Sequence, residues 1–391
     1  MTPSARVQAA IEILDEVIAS ARNEGPPADS IVQRYFKTRR YAGSKDRRAV
    51  RELVYRAIRR SGERPEHGRQ AMLGVADEDA EIAQLFDGSV HGPAARGGEV
   101  GAPAAILPSW IERELSRHVP TEEWPALLER APLDLRINAA RTDRTTMAAA
   151  FEGSEPTRLS PWGLRLPPDT RVDGEAAYTD GLVEVQDEGS QLVALACAPA
   201  EDMNILDLCA GAGGKSLALA AAAPGAAIVA SDTNRARLAQ LGPRAERAGA
   251  TIATRLVDGG REAKQLSDLE GQCDIVLVDA PCSGSGTWRR NPEGRWRLTP
   301  ERLDKLISLQ QHLLELAAPL VKPGGALVYA TCSILRREGA EQAGNFLGRH
   351  SSWMGQDVTF DGGRADGPGR LLTPAHDATD GFFVARFVRP C

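Results

Sequence analysis

Apolar positions recur along this chain in two rhythms, and the change from one to the other divides it. From Ala5 to Ala21 the residues Val7, Ala10, Ile11, Leu14, Val17 and Ile18 fall three and four apart with acids between them. That spacing predicts a helix with one buried face. Past the breaker Gly25-Pro26-Pro27 it resumes through Ile31-Val32, then through Val50, Leu53-Val54 and Ala57-Ile58. Gly43-Ser44-Lys45-Asp46-Arg47 reads as a loop, with Ser44 as the N-cap of a helix over Asp46–Arg60. Residues 1–87 are thus expected to form an all-α domain, and the Gly/Pro/Ala-rich 88–105 a linker. Beyond it, Leu107–Leu115 predicts an amphipathic helix and Leu133–Asn138 alternates as a strand does. Short strands continue to Val185, which makes 106–185 a small α+β module.

From Gln186 the rhythm becomes strand, helix, strand. Strands are expected at Asn204–Leu208, Ala227–Asp232, Thr251–Val257, Cys273–Asp279, Ala326–Thr331 and Gly381–Val388, with helical stretches between the first five. Residues 186–391 therefore read as a doubly wound α/β domain. The run Ile275–Val278 is β-branched and apolar enough to be buried on both faces. It breaks at Asp279-Ala280-Pro281-Cys282 into Ser283-Gly284-Ser285-Gly286. A second segment repeats the layout: Pro323-Gly324-Gly325 turns into a strand that ends at Thr331-Cys332-Ser333. Open α/β sheets bind their ligands at the C-terminal ends of the strands. Two strands thus bring two cysteines to one cleft.

Composition narrows the chemistry. A net charge of −6 argues against nucleic-acid binding by gross charge, so such a role would need a local patch. One is present: between Arg34 and Arg60 eleven Lys or Arg stand against two acids, Asp46 and Glu52. Six scattered cysteines with no paired spacing point to a reducing compartment rather than a disulfide framework. The six histidines show no metal-ligand spacing. Without an apolar leader or a bilayer-length apolar run, a cytoplasmic location is expected, with no membrane contact.

Leu206-Asp207-Leu208-Cys209-Ala210-Gly211-Ala212-Gly213-Gly214-Lys215 runs from a strand through a glycine-rich loop into a helix. It fits neither the phosphate-cradling loop nor the dinucleotide spacing. Asp232 ends the next strand, where an acid can hold ribose hydroxyls, and Asp258 ends the one after, within reach of an adenine edge. Together these favour S-adenosylmethionine or a nucleotide. Two cysteines beside such a cofactor suggest covalent catalysis on a base. A thiolate that adds to carbon 6 of a pyrimidine makes carbon 5 nucleophilic, and the thiol leaves when carbon 5 loses its proton. Cys197, Cys209 and Cys273 read instead as small buried apolar residues.

At these residues the chain resembles the RsmB/Sun family of RNA 5-methylcytosine methyltransferases. The resemblance rests on Asp279–Thr287, Arg289-Arg290-Asn291-Pro292, Tyr329–Ser333, Gln186–Gln191 and Asp207–Lys215, and it covers about residues 105–390. It implies a Rossmann-like methyltransferase domain, S-adenosylmethionine as cofactor and RNA as partner, ribosomal RNA before transfer RNA. It also implies Cys332 as the nucleophile, Cys282 assisting product release, and Asp279 and Lys215 lining the active site. DNA cytosine methyltransferases use the cysteine of the Pro-Cys pair instead.

The cofactor site implied is Asp207, Cys209, Ala210, Gly211, Gly213, Gly214, Lys215, Asp232, Arg237, Asp258 and Asp279. The residues expected at RNA are Arg289, Arg290, Asn291, Arg136 and Asn138. Where relatives often carry an acid-Asn pair after the second cysteine, this chain has Glu338-Gly339, and nothing carries over to position 339. The N-terminal part is similar to the NusB-like helical domain, on Gly43–Arg47, Leu53-Val54-Tyr55 and Arg59-Arg60. A monomer is expected. The alternative from another class is a catalytically idle RNA-binding assembly factor.

Overall fold

The computed structural model of the protein describes residues 1–167 and 170–391. They divide into two units. The first comprises Met1–Leu115, Thr121–Glu129 and Thr287–Arg302; the second comprises Ser116–Pro120, Arg130–Gly286 and Leu303–Cys391.

In the first unit, helices α1 (Pro3–Arg22), α2 (Ala28–Lys37), α3 (Ser44–Arg60) and α4 (Gly68–Glu78) bury the apolar stripes expected of them. The start of α3 differs from expectation. Ser44 is its first helical residue and Gly43 the cap, because the Asp46 carboxylate accepts from Gly43 N at 3.3 Å and caps the turn from inside. The same carboxylate meets the Met1 ammonium and Arg6. Residues 88–105 differ too: where a linker was expected, the chain folds back on the helices. Ala102 N donates to Gln70 O and Ala105 N to Arg60 O, both at 2.9 Å. A Cβ on Gly101 would stand 2.5 Å from Gly74 N, so that close pass requires glycine. The expected helix at 107–115 shortens to a 3₁₀ turn over Ser109–Arg113, which Pro108 opens.

The segment 287–302 also belongs to this unit. Trp296 lies in its core and donates from Nε1 to Ser61 O at 2.8 Å. Arg295 donates to Ile58 O at 2.6 Å, and Arg297 to Gly25 O at 2.8 Å.

The second unit holds two sheets. The smaller is antiparallel, in the order β2 (Glu155–Pro156), β3 (Gly163–Leu166), β1 (Leu133–Ile137), β4 (Val183–Val185). The larger has a parallel centre of β7 (Ala253–Leu256), β6 (Ala227–Asp232), β5 (Asn204–Asp207), β8 (Cys273–Asp279) and β9 (Val321–Thr331), in that order. The strand β13 (Phe382–Val388) pairs antiparallel with β9. Beyond it lie β12 (Gly369–Leu372) and β11 (Arg364–Asp366), while β10 (Met354–Gln356) pairs with β13. This is the expected doubly wound, Rossmann-like arrangement. The Pro323-Gly324-Gly325 turn proves to be a bulge inside β9. Val321 pairs with Cys273 and Ala326 with Ile275, and Gly324 absorbs the excess at φ +75°.

Candidate active site

The site lies at the C-terminal ends of the parallel strands. Asp207 closes β5, Asp232 closes β6, Asp279 closes β8, and Asp258 follows two residues after β7. Four neighbouring strands thus end in carboxylates.

The glycine loop is shaped by two of these acids. Asp232 accepts from Gly211 N at 2.7 Å and from Asn234 N at 2.6 Å, which ties the loop to the end of β6. Gly213 caps the following helix (Gly214–Ala222) at φ +80°, and a Cβ there would stand 2.2 Å from Leu241 Cδ1. Glycine is required at 213 on both counts. Asp207 is fully buried. Ser216 Oγ donates to its Oδ2 at 2.6 Å, while its Oδ1 has no partner. Burial pushes its carboxyl up to about 7. Arg237 is exposed, with its guanidinium against Gly211. Asp258 is exposed as well and bonds Gln265 through both its backbone N–H and its carboxylate.

Lys215, in the first turn of the helix, donates to Asp279 Oδ2 at 2.6 Å. Burial works to lower its ammonium, but the Asp279 carboxylate outweighs burial and holds it above its ordinary value. Cys209 is half-buried, and burial reinforced by the neighbouring acids pushes its thiol well up. Cys197 and Cys273 are buried in the core, their thiols pushed up by burial to about 12 and about 11.

The two cysteines meet. Asp279 pairs with Ala330 in the parallel ladder, and Ala280 N donates to Ala330 O at 2.9 Å. The loops that leave β8 and β9 therefore start side by side. Gly286 N donates to Cys332 O at 3.0 Å, and Ile334 N to Ser285 Oγ at 3.0 Å. The outcome is a Cys282–Cys332 Sγ separation of 3.4 Å. The Cys282 thiol is pushed well up, first by its contact with Cys332 and then by burial.

Glu338 was not among the expected site residues. It is fully buried, and its carboxylate accepts from Ser283 N (2.8 Å), Ser283 Oγ, Gln310 Nε2 (3.0 Å) and Ser333 Oγ (2.6 Å). The one signal in the sequence was its place after the second cysteine; its partners are dispersed along the chain.

Of the residues expected at RNA, three are buried. Arg136 is 2% exposed and donates to Gln186 Oε1 at 2.6 Å, with burial pulling its guanidinium down to about 10. Asn138 is 5% exposed and donates to the Gly181 and Ala248 carbonyls, both at 2.9 Å. These two brace the interior of the second unit, against the expectation that they meet RNA. Arg289 is buried in the first unit at 7% exposure, whereas Arg290 is half-buried and Asn291 exposed.

The loop suits a nucleoside ligand with a cationic centre. Acids end four strands, the backbone turns at positive φ at Gly211 and Gly213, and one buried carboxylate oxygen lacks a partner. The fold is that of a Rossmann-like methyltransferase domain. Residues 194–388 match the family described as 16S rRNA methyltransferase RsmB/F. The chain is 33% identical over 292 residues to ribosomal RNA small subunit methyltransferase B of Salmonella paratyphi B; the match covers 73% of this chain and 66%, just under two thirds, of that protein. Among solved structures, PH0851 aligns at TM-score 0.77 with 22% identity, covering 99% of each chain. NSun6 from Pyrococcus horikoshii, solved with the S-adenosylmethionine analogue SFG, aligns at TM-score 0.63 with 18% identity, covering 72% of this chain and 96% of its own. The chain belongs to the RsmB/F family.

Proposed function

We propose that this protein methylates carbon 5 of a cytosine in RNA, with small-subunit ribosomal RNA as substrate, by covalent addition of Cys332 to carbon 6. The observation that carries the reading is the pair of sulfurs 3.4 Å apart at the ends of two adjacent parallel strands. A methyltransferase acting on oxygen or nitrogen has no use for two such thiols.

S-adenosylmethionine, when bound by the glycine loop with Asp232, Asp258 and Arg237, supplies the methyl group. The chain's own residues do the rest. Cys332 Sγ, as a thiolate, bonds to carbon 6, and the electrons of the 5,6 double bond move to carbon 5. Asp279, held in place by Lys215, accepts from the polar edge of the base and orients it. After carbon 5 has taken the methyl group, Cys282 in its deprotonated form removes the proton from carbon 5. The electrons of that C–H bond restore the double bond, the C6–S bond breaks, and Cys332 leaves as a thiolate. Cys282 then returns its proton to water. Its raised thiol makes it a strong base once deprotonated, so release quickens as pH rises. The cytosine must be unstacked to reach the cleft. Arg290, half-buried, and Asn291, exposed, contact the RNA.

Bisulfite sequencing of ribosomal and transfer RNA from cells with and without the gene tests the reading. One 5-methylcytosine lost from small-subunit ribosomal RNA is the expected result. Loss from transfer RNA would keep the chemistry and overturn the substrate. No lost site would favour an idle RNA-binding factor.

A further inference from the structure

We infer that Glu338 is a positioning residue for the release half of the reaction: its buried carboxylate clamps the loop that carries Cys282 to the segment that follows Cys332. The inference rests on the covalent reading above.

The two cysteines are held differently. Cys332 directly follows a paired strand, with Thr331 opposite Phe383 in the ladder. Cys282 lies beyond the end of β8, in a loop with no ladder of its own. What fixes that loop on either side of Cys282 leads to Glu338. Ahead of it, Pro281 O accepts from Gln310 Nε2 at 3.0 Å, and the same amide donates to Glu338 Oε1. Behind it, Ser283 N donates to Glu338 Oε1 at 2.8 Å. The other carboxylate oxygen takes the hydroxyls of Ser283 and Ser333, so one buried group ties the Cys282 loop to the segment after Cys332. Its backbone is pinned in turn, with Tyr329 Oη donating to Glu338 O at 2.7 Å. A carboxylate accepting four hydrogen bonds is fully satisfied as an anion. Fully buried, it is a residue type rarely enclosed without a specific purpose.

The titratable groups facing Cys282 are Cys332 from the end of β9 and Glu338 from the segment beyond it; both push its thiol up, and the Gly284 backbone partly offsets them. A Glu338→Gln side chain can offer its oxygen to the two N–H donors and its amide to the two hydroxyls. It keeps the clamp and removes the charge. Glu338→Ala removes both.

The test compares both variants with wild type on an in-vitro transcript of small-subunit ribosomal RNA with S-adenosylmethionine. Turnover and the covalent protein–RNA adduct on denaturing gels are both measured. For Glu338→Ala, turnover should fall tenfold to a hundredfold, the size of losing charge-assisted hydrogen bonds. Adduct should accumulate while cofactor affinity stays unchanged. For Glu338→Gln, turnover should persist without accumulation of adduct. A folding role alone would not move the adduct fraction. Wild-type turnover and adduct fraction in Glu338→Ala would overturn the inference, and so would adduct accumulation in Glu338→Gln, which keeps the clamp; the second outcome decides the matter even where Glu338→Ala does not fold. Wild type that forms no 5-methylcytosine on this RNA would overturn the functional reading itself, and the inference with it.

Discussion

The two ends of the parallel sheet solve the same problem in opposite ways. At β5 and β6 the acids that close the strands hold their own neighbours: Asp232 bonds the backbone of Gly211 and Asn234, and Asp207 bonds Ser216 nine residues on. At β8 and β9 the organising carboxylate comes from outside the sheet, and its partners Ser283, Gln310 and Ser333 belong to three separate segments. The first arrangement is local and builds a rigid loop around a ligand. The second is non-local and holds two reactive side chains at a set spacing. A cofactor loop can be inherited as one cassette, whereas a catalytic pair needs the fold to assemble it.

The largest effect should come from Cys332→Ala, with a fall in methyl transfer of about 10⁴-fold or more, because the reaction loses its covalent route. Tritiated methyl incorporation into ribosomal RNA measures it, and full activity would reverse the two cysteine roles. Cys282→Ala should trap the enzyme on RNA as a gel-stable adduct, since addition proceeds and release does not. Absence of adduct would remove Cys282 from the release step.

At the other end of the sheet, Asp232→Ala should weaken cofactor binding about tenfold to a hundredfold by freeing the glycine loop. Calorimetric titration with S-adenosylmethionine reads this directly, and unchanged affinity would mean the loop holds its shape without Asp232.

The last effect concerns stability and not turnover. The Asp207 carboxyl binds its proton more tightly in the folded protein, at about 7 against an ordinary 3.8. Its stabilising contribution is therefore fully present below the ordinary value and is lost as pH rises through about 7. The change amounts to no more than about 4 kcal/mol. Asp207→Asn should flatten the fall in stability between pH 5 and 8, measured by urea unfolding; an unaltered slope would mean that the group is ionised throughout.

The same contrast explains what could be read in advance. The six main strands and the glycine loop follow from short-range patterns, and both cysteines announce themselves at strand ends. Glu338 does not, because nothing near position 338 reveals contacts with residues 283 and 310. Arg136 and Asn138 were expected at RNA with the family resemblance, which does not say which faces of a strand are covered. Alternation says that a strand has two faces, and in β1 both are covered: Leu135 and Ile137 lie in one apolar cluster, while Arg136 is 2% exposed on the other face. The span 88–105 looked like a linker because glycine and proline mark flexible chain and close packing alike.

The return of residues 287–302 to the first unit has a consequence for how the protein is made. Arg295 bonds Ile58 across 237 positions, and Trp296 bonds Ser61 across 235. During translation the N-terminal helices leave the ribosome long before their last core residue exists. They must wait, with the place of Trp296 unfilled, until about three quarters of the chain has been synthesised. Contacts this distant in sequence slow folding. A nascent chain stalled short of residue 296 should therefore be digested by protease within its first 115 residues, and one stalled well past residue 302 should resist.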